Sequence, residues 1–313
     1  MDIRKVTVIG GGVLGSQIAY QSAYEGFDVV TYARSEGSIE RSRPKVDRLH
    51  SIYIAELQAA KSGGSVSRGL VNNAADLSGI DFDALIRRAD DAWKNFRYET
   101  DLKKAVDDAD LVIEALSENP AEKTAFYEKL KDLLPEKTVI ATNSSTLLPS
   151  VLADSTGRPE KFLALHFANN IWEQNTAEIM GHDRTAPEAY DAVVKFAADI
   201  GMISLPLKKE KAGYILNSML VPFLFSAQEM LVDGIADAET IDKTWMLGTG
   251  APMGPFRILD VVGIETAYNI LSNDPQSQDP ESLCGRITKF LKENYIDTGK
   301  TGINAGEGFY KYK

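Results

Sequence analysis

Apolar positions along the first two-thirds of the chain follow two rhythms. Val6 to Ile9 is a continuous apolar run of strand length that ends in glycines, and Val13–Glu25 then repeats at helical spacing until Gly26 stops it. Asp28–Tyr32 reads as a second strand. Residues 36–95 differ: Val46, Leu49, Tyr53 and Leu57 recur at helical spacing, Ser62-Gly63-Gly64-Ser65 breaks the pattern, and Phe82, Leu85, Ile86, Ala89 and Trp93 resume it. This predicts a helical excursion, a helix pair, between two strands of one sheet. From Phe96 the alternation returns. Strands are predicted at Leu111–Ala115, Thr138–Ala141, Phe162–Phe167, Ala177–Met180 and Ile203–Leu205, and helices at Ala121–Leu134 and Ala186–Gly201. Alternating strands and helices predict an α/β, Rossmann-type, doubly wound and mostly parallel sheet. After Pro206 the strand signal ends. Ala212–Val232 reads as one long helix, Asp237 caps another to about Leu247, and helix resumes after the Gly248–Gly254 turn up to about Tyr295. The expected division is an α/β domain over 1–206, holding the excursion at 36–95, and an all-α domain over 207–313.

Length agrees with two domains, since 313 residues exceed one ordinary core. Asp and Glu (45) outnumber Lys and Arg (34), for a formal charge of −11, so nucleic acid is not an expected partner. The longest uncharged run, Ala212 to Gln228, is interrupted by Asn217, Ser218 and Pro222, and no membrane span or secretory signal is expected. The lone Cys284 forms no intramolecular disulfide and offers no metal cluster, which fits a cytoplasmic setting and a small buried hydrophobe.

Gly10-Gly11-Gly12-Val13-Leu14-Gly15 contains G-x-G-x-x-G directly after an apolar strand and at the opening of a helix. In that context Gly10 makes the tight turn, Gly12 lets the backbone approach a pyrophosphate, Gly15 allows close helix–strand packing, and Val13 and Leu14 open the helix whose N-terminus faces the negative charge. A dinucleotide site follows, which makes residues 1–206 the cofactor domain. An NAD site usually places Asp or Glu about 20 residues on, at the end of the second strand. Here Ala33 holds that place, followed by Arg34 and Ser35, whose guanidinium and hydroxyl suit a 2′-phosphate. The cofactor is therefore NAD or NADP, with residues 33–35 leaning towards NADP; the alternative is a solvated Arg34, with Glu36 or Glu40 on the ribose.

Hydride transfer to or from a carbonyl needs a proton-moving group near neutral pH, and the chain has three histidines. His50 reads as a surface residue of the excursion and His182 as solvated in a polar turn. His166 ends an apolar strand, where ligands collect in open parallel sheets, and is the favoured base over a core histidine. Glu178 lies inside an apolar strand pattern and needs a partner, because burying an unpaired charge is costly. His166 supplies one. Thr142-Asn143-Ser144-Ser145 ends another strand.

At these residues the chain resembles the L-3-hydroxyacyl-CoA dehydrogenase family. The resemblance is carried by Gly10–Gly15, Leu111–Glu118, Asn143-Ser144-Ser145, Ala164-Leu165-His166-Phe167, Gly213–Pro222 and Gly306-Glu307-Gly308-Phe309-Tyr310. It implies a catalytic pair at His166 and Glu178, substrate positioning by Ser145 and Asn217, and cofactor contacts at Glu118, Lys123, Asn143 and Asn169. It also implies a helical domain that dimerises, hence a homodimer, and a small 3-hydroxyacyl or 3-keto substrate. Asn217 otherwise reads as a polar residue satisfied within an apolar helix. Thioester-using members usually read His-Phe-x-Asn-Pro, whereas this chain reads His166-Phe167-Ala168-Asn169-Asn170. That segment, with Asn175–Glu178 and Lys208–Tyr214, resembles the diketoreductase and λ-crystallin-like branch. The excursion lies where family members place helices that contact CoA, and looks longer than usual. The basic residue often found before Gly306 is missing too. Three readings follow: a dehydrogenase of short-chain 3-hydroxyacyl-CoA such as 3-hydroxybutyryl-CoA; a reductase of free keto or diketo esters, or an L-gulonate-type 3-hydroxy acid dehydrogenase; and a catalytically silent crystallin-like protein.

Overall fold

The computed structural model describes residues 1–312. The chain divides into two compact units, Met1–Ile215 and Leu216–Lys313.

In the first unit eight strands form one sheet: β1 (Lys5–Ile9), β2 (Asp28–Tyr32), β3 (Arg97–Glu99), β4 (Leu111–Glu114), β5 (Val139–Thr142), β6 (Phe162–Phe167), β7 (Thr176–Met180) and β8 (Ile203–Pro206). Their order is β3-β2-β1-β4-β5-β6-β7-β8. Every neighbouring pair is parallel except β6–β7. β1, β4, β5 and β6 are buried on both faces, which is why they read as unbroken apolar runs. One face is covered by α1 (Val13–Tyr24) and, further along the chain, by α7 (Pro187–Asp199), with Val6, Val8, Ile113, Leu165 and Phe196 in the shared core. The other face carries α4 (Leu102–Val106), α5 (Pro120–Leu130) and α6 (Pro149–Leu152), with Ile9, Val112 and Phe162 of the sheet and Tyr127 of α5 in the shared core.

The excursion is a helix pair, α2 (Glu36–Lys61) and α3 (Phe82–Lys94), between β2 and the short edge strand β3. It is bolted to α1 by buried tyrosines. Tyr20 and Tyr24 donate to the carbonyls of Ala89 and Leu70, and the Tyr53 hydroxyl donates to Gln21 Oε1 at 2.5 Å. His50 belongs to this seam rather than to the open surface: its Nε2 meets Asp90 Oδ1 at 2.8 Å and its ring stacks on Trp93. Apolar spacing alone could not show that partner, because α2 and α3 meet only in the folded unit.

Two expected boundaries move. The first unit extends beyond Pro206 to Ile215, because 207–215 is stitched to the sheet: Leu207 N–H donates to the Ile179 carbonyl and Ile215 N–H to Glu178 Oε1. The helix predicted from Ala212 begins at Leu216, because Gly213 (φ 78°) and Tyr214 (φ 52°) are left-handed and cannot be helical.

The second unit is helical: α8 (Leu216–Val232), α9 (Ala238–Thr249), α10 (Pro255–Val262), α11 (Ile264–Ser272) and α12 (Leu283–Leu291). Leu224, Ile241, Phe256 and Leu259 form one core and Ile264, Ile287 and Leu291 another. Asp237 caps α9 through Thr240 N–H as expected. The Gly306–Tyr310 stretch has a structural task. Buried Asp260 accepts from Phe309 N–H, Tyr310 N–H and the Tyr312 hydroxyl, and a Cβ on Gly308 would lie 2.0 Å from Asp260 Oδ1. No helix among the described residues is long and apolar enough to cross a membrane.

Candidate active site

The parallel strands β1, β4, β5 and β6 end at one edge of the sheet, and the predicted residues of the first unit gather there. Gly10 has φ 107°, and a Cβ on it would strike the Ala115 carbonyl oxygen at 2.8 Å. A Cβ on Gly15 would lie 2.1 Å from the Gly10 carbonyl oxygen, so only glycine lets α1 sit this close to the turn. Gly12 has open space around its missing side chain and Val13 is exposed, which leaves the α1 N-terminus uncovered for a pyrophosphate. These features fit a dinucleotide, which this chain would hold with the 10–15 turn.

At the end of β2, Ala33 is buried and donates its N–H to the Glu99 carbonyl of β3. β2 itself carries no carboxylate at that end; Glu99 of β3 lies opposite Tyr32, and its Oε1 accepts from Thr100 N–H and Asp101 N–H. Arg34 is exposed, and Ser35 caps α2 by accepting from Ser38 N–H. Glu36 and Glu40 are exposed on the first turns of the same helix.

The sheet register makes the chemical centre. β6 and β7 pair antiparallel with His166 directly opposite Glu178, and such cross-strand neighbours lie within side-chain reach. His166 Nδ1 is 3.2 Å from Glu178 Oε2, and His166 Nε2 is 3.1 Å from Ser145 Oγ, just beyond β5. Nδ1–H donates to the carboxylate, which leaves Nε2 as the basic nitrogen on the Ser145 side. Glu178 is 4% exposed, so its charge must be matched, and its other oxygen accepts from Ile215 N–H at 2.8 Å. The three groups form a relay in which a proton held at Nε2 is stabilised by the carboxylate behind the ring.

The remaining residues named from the family divide. Glu118, after β4, accepts from Ser144 Oγ and from both the N–H and the hydroxyl of Thr146. Burial pushes this carboxyl up, but those donors outweigh it and hold it below the usual range. Glu118 therefore ties the turn after β4 to the serine turn after β5. Asn143 Oδ1 accepts from Phe167 N–H and fastens the end of β6. Asn169 is exposed beyond it. Lys123 is fully buried: Nζ donates to Glu114 Oε1 at 2.6 Å and lies 3.9 Å from Glu118 Oε2. It reaches the site only through those carboxylates. Asn217 is half-buried in the first turn of α8, in the second unit.

His182 is partly buried rather than solvated. Its Nδ1 accepts from Arg184 N–H, while its Nε2 is enclosed without a partner. Tyr214, read in sequence as a helical apolar position, instead lies flat against His166, with ring centroids 4.4 Å apart and planes 9° apart. Its glycine neighbour and the Lys-rich stretch before it were the only sequence hints of a turn. The missing proline after Asn169 also has a structural reason. Asn170 has φ 58°, closed to proline, and its N–H donates to Gln17 Oε1 of α1 at 2.9 Å.

A glycine turn on a 3-2-1-4-5-6 parallel sheet, a His–carboxylate pair at the same sheet edge and a following helical unit define a two-domain nicotinamide-dependent dehydrogenase. Family models agree throughout the chain: "3-hydroxyacyl-CoA dehydrogenase, NAD binding domain" matches residues 5–210 and "3-hydroxyacyl-CoA dehydrogenase, C-terminal domain" matches 213–312. The chain belongs to the 3-hydroxyacyl-CoA dehydrogenase family. It is 31% identical to the mitochondrial hydroxyacyl-coenzyme A dehydrogenase of Sus scrofa, over 99% of this chain and 92% of that one. It is 28% identical to a probable 3-hydroxybutyryl-CoA dehydrogenase of Deinococcus radiodurans, over 98% and 100%. A solved diketoreductase, described as acting on dicarbonyl compounds, superposes with a TM-score of 0.87 at 50% identity over the full length of both chains.

Proposed function

We propose that the protein interconverts a 3-hydroxyacyl and a 3-ketoacyl compound, and the Ser145–His166–Glu178 relay at the dinucleotide edge carries that reading. A nicotinamide cofactor, which the 10–15 turn would hold, would supply the hydride chemistry at the substrate's C3. His166 Nε2 takes the proton of the 3-hydroxyl in oxidation and donates it to the carbonyl oxygen in reduction. Ser145 holds that oxygen beside Nε2, and the family resemblance gives Asn217 a substrate-positioning role. Glu178 fixes the tautomer and stabilises the charged ring. An intact relay argues against a silent protein.

The short-chain 3-hydroxyacyl-CoA reading rests on the family models and relatives. A second reading, reduction of free keto or diketo esters, is favoured by the likeness to the diketoreductase and by the proline-excluding Asn170. Turnover of acetoacetyl-CoA, ethyl acetoacetate and L-gulonate, each with both cofactors, separates the readings. Preference for acetoacetyl-CoA supports the first, preference for the ester the second, and no turnover of any refutes both.

For the cofactor we infer a preference for NADP(H) over NAD(H). Its support is that Ala33 rather than Asp or Glu follows β2, with the exposed Arg34 beside the Ser35 cap. Comparison of kcat/KM for NADPH and NADH tests it, and a strong NADH preference would remove it. We further infer a homodimer through the second unit, where Met219, Leu247, Val261 and Ile270 are exposed apolar residues. A monomer in sedimentation at micromolar concentration would overturn this.

A further inference from the structure

We infer that Tyr214 is a positioning residue for the relay, an inference that rests on the function proposed above. Tyr214 is 1% exposed and packs with Ala164, Met180, Leu148 and Leu207, so its ring is held on several sides. It stacks on His166 with a centroid separation of 4.4 Å, and its hydroxyl donates to the Ser144 carbonyl at 2.7 Å. One side chain thus touches the imidazole and the residue that carries Ser145. The next residue completes the clamp, because Ile215 N–H binds Glu178 Oε1.

The backbone is strained to achieve this. Tyr214 has φ 52°, a region that bulky residues rarely enter and that costs roughly a kilocalorie per mole or more. A helical Tyr214 would carry its ring elsewhere, so the left-handed turn is what places the ring on His166. The phenol is not itself the proton donor. Burial, reinforced by the charges of Glu118, Glu178 and Glu114, pushes its ionisation far up, and its proton is committed to the Ser144 carbonyl. Its effect on chemistry runs through His166. The stacked ring blocks rotation about the imidazole axis.

The test uses Tyr214→Leu, which removes stack and hydroxyl, and Tyr214→Phe, which keeps the stack alone. Three histidines allow the His166 ring signals to be followed by NMR at one fixed pH, assigned with His166→Gln, without any substrate. Wild type and Tyr214→Phe should each show one sharp set of His166 ring signals, and Tyr214→Leu a broadened or doubled set, because the ring is freed to rotate. Tyr214→Leu should also lower kcat by about 10²-fold, the scale of a misplacement of about 1 Å, with KM for the cofactor within about twofold. Tyr214→Phe should lower kcat only several-fold, through the freed Ser145 turn. One sharp set of signals, or a wild-type kcat, in folded Tyr214→Leu overturns the inference. If Tyr214→Leu does not fold, Tyr214→Phe decides: broadened His166 signals or an undiminished kcat overturns it. If wild type turns over no substrate in the panel, the proposed function fails, while the NMR signals still judge the clamp.

Discussion

Lys123→Met isolates the buried ion pair beneath the site. Lys123 and Glu114 are both fully buried, with Nζ 2.6 Å from Oε1. Glu114 also accepts from Leu116 N–H at 2.6 Å, from the Tyr127 hydroxyl at 2.8 Å and from Thr142 Oγ1 at 2.9 Å. Methionine keeps the volume and removes the charge, leaving a buried carboxylate with three donors. Breaking such a pair typically costs about 3–5 kcal/mol. The remaining donors reduce the loss, so the expected destabilisation is about 3 kcal/mol. Urea unfolding followed by β-sheet circular dichroism measures it, with NADH and NADPH affinity read by fluorescence on the folded variant. The double variant Glu114→Leu with Lys123→Met should recover most of the loss, because no charge is then left buried. Cofactor affinity should fall only modestly, through loosening of Glu118. Unchanged stability with a large loss of cofactor affinity would refute the reasoning and make Lys123 a direct ligand of the cofactor.

Three further outcomes are expected. His166→Gln should fold, bind cofactor with near wild-type affinity and lose roughly 10²–10⁴-fold in kcat; full turnover would remove His166 from the chemistry. Glu25 is enclosed at the end of α1, and burial outweighs the nearby Arg88 to raise its carboxyl to about 7. A raised folded value means that its contribution is fully present below about 4.5 and is lost as pH rises through about 7. Relative to Glu25→Gln, wild type should therefore lose up to about 3 kcal/mol across that interval, and parallel stability–pH curves would contradict this. Gly308→Ala forces a Cβ to within 2.0 Å of Asp260 Oδ1 and should cost about 1–3 kcal/mol. The tail after Thr301 should become protease-sensitive; wild-type resistance would show that the tail tolerates the extra atom.

Features encoded within a few consecutive residues were legible in the sequence alone. The glycine turn needs only local steric rules, because Gly10, Gly12 and Gly15 act on their own strand and helix. The core strands β1, β4, β5 and β6 and the pair α2–α3 follow from apolar spacing, and the three-residue edge strand β3 escaped because Arg97–Glu99 has too little of it. Glu178 could be paired with His166 because an apolar strand makes a lone carboxylate conspicuous.

The tertiary structure decided what depends on partners distant in the chain. Only the antiparallel β6–β7 register puts His166 opposite Glu178, and a one-residue slip would turn the two to opposite faces. Only packing shows Lys123 turned inward to Glu114, His50 locked to Asp90 and Tyr214 held left-handed against the His166 ring. Tyr214 keeps apolar helical spacing with its neighbours, so local pattern argued for a longer α8. The fold overrides that preference because burying the ring on His166 and bonding its hydroxyl to Ser144 outweigh the backbone strain.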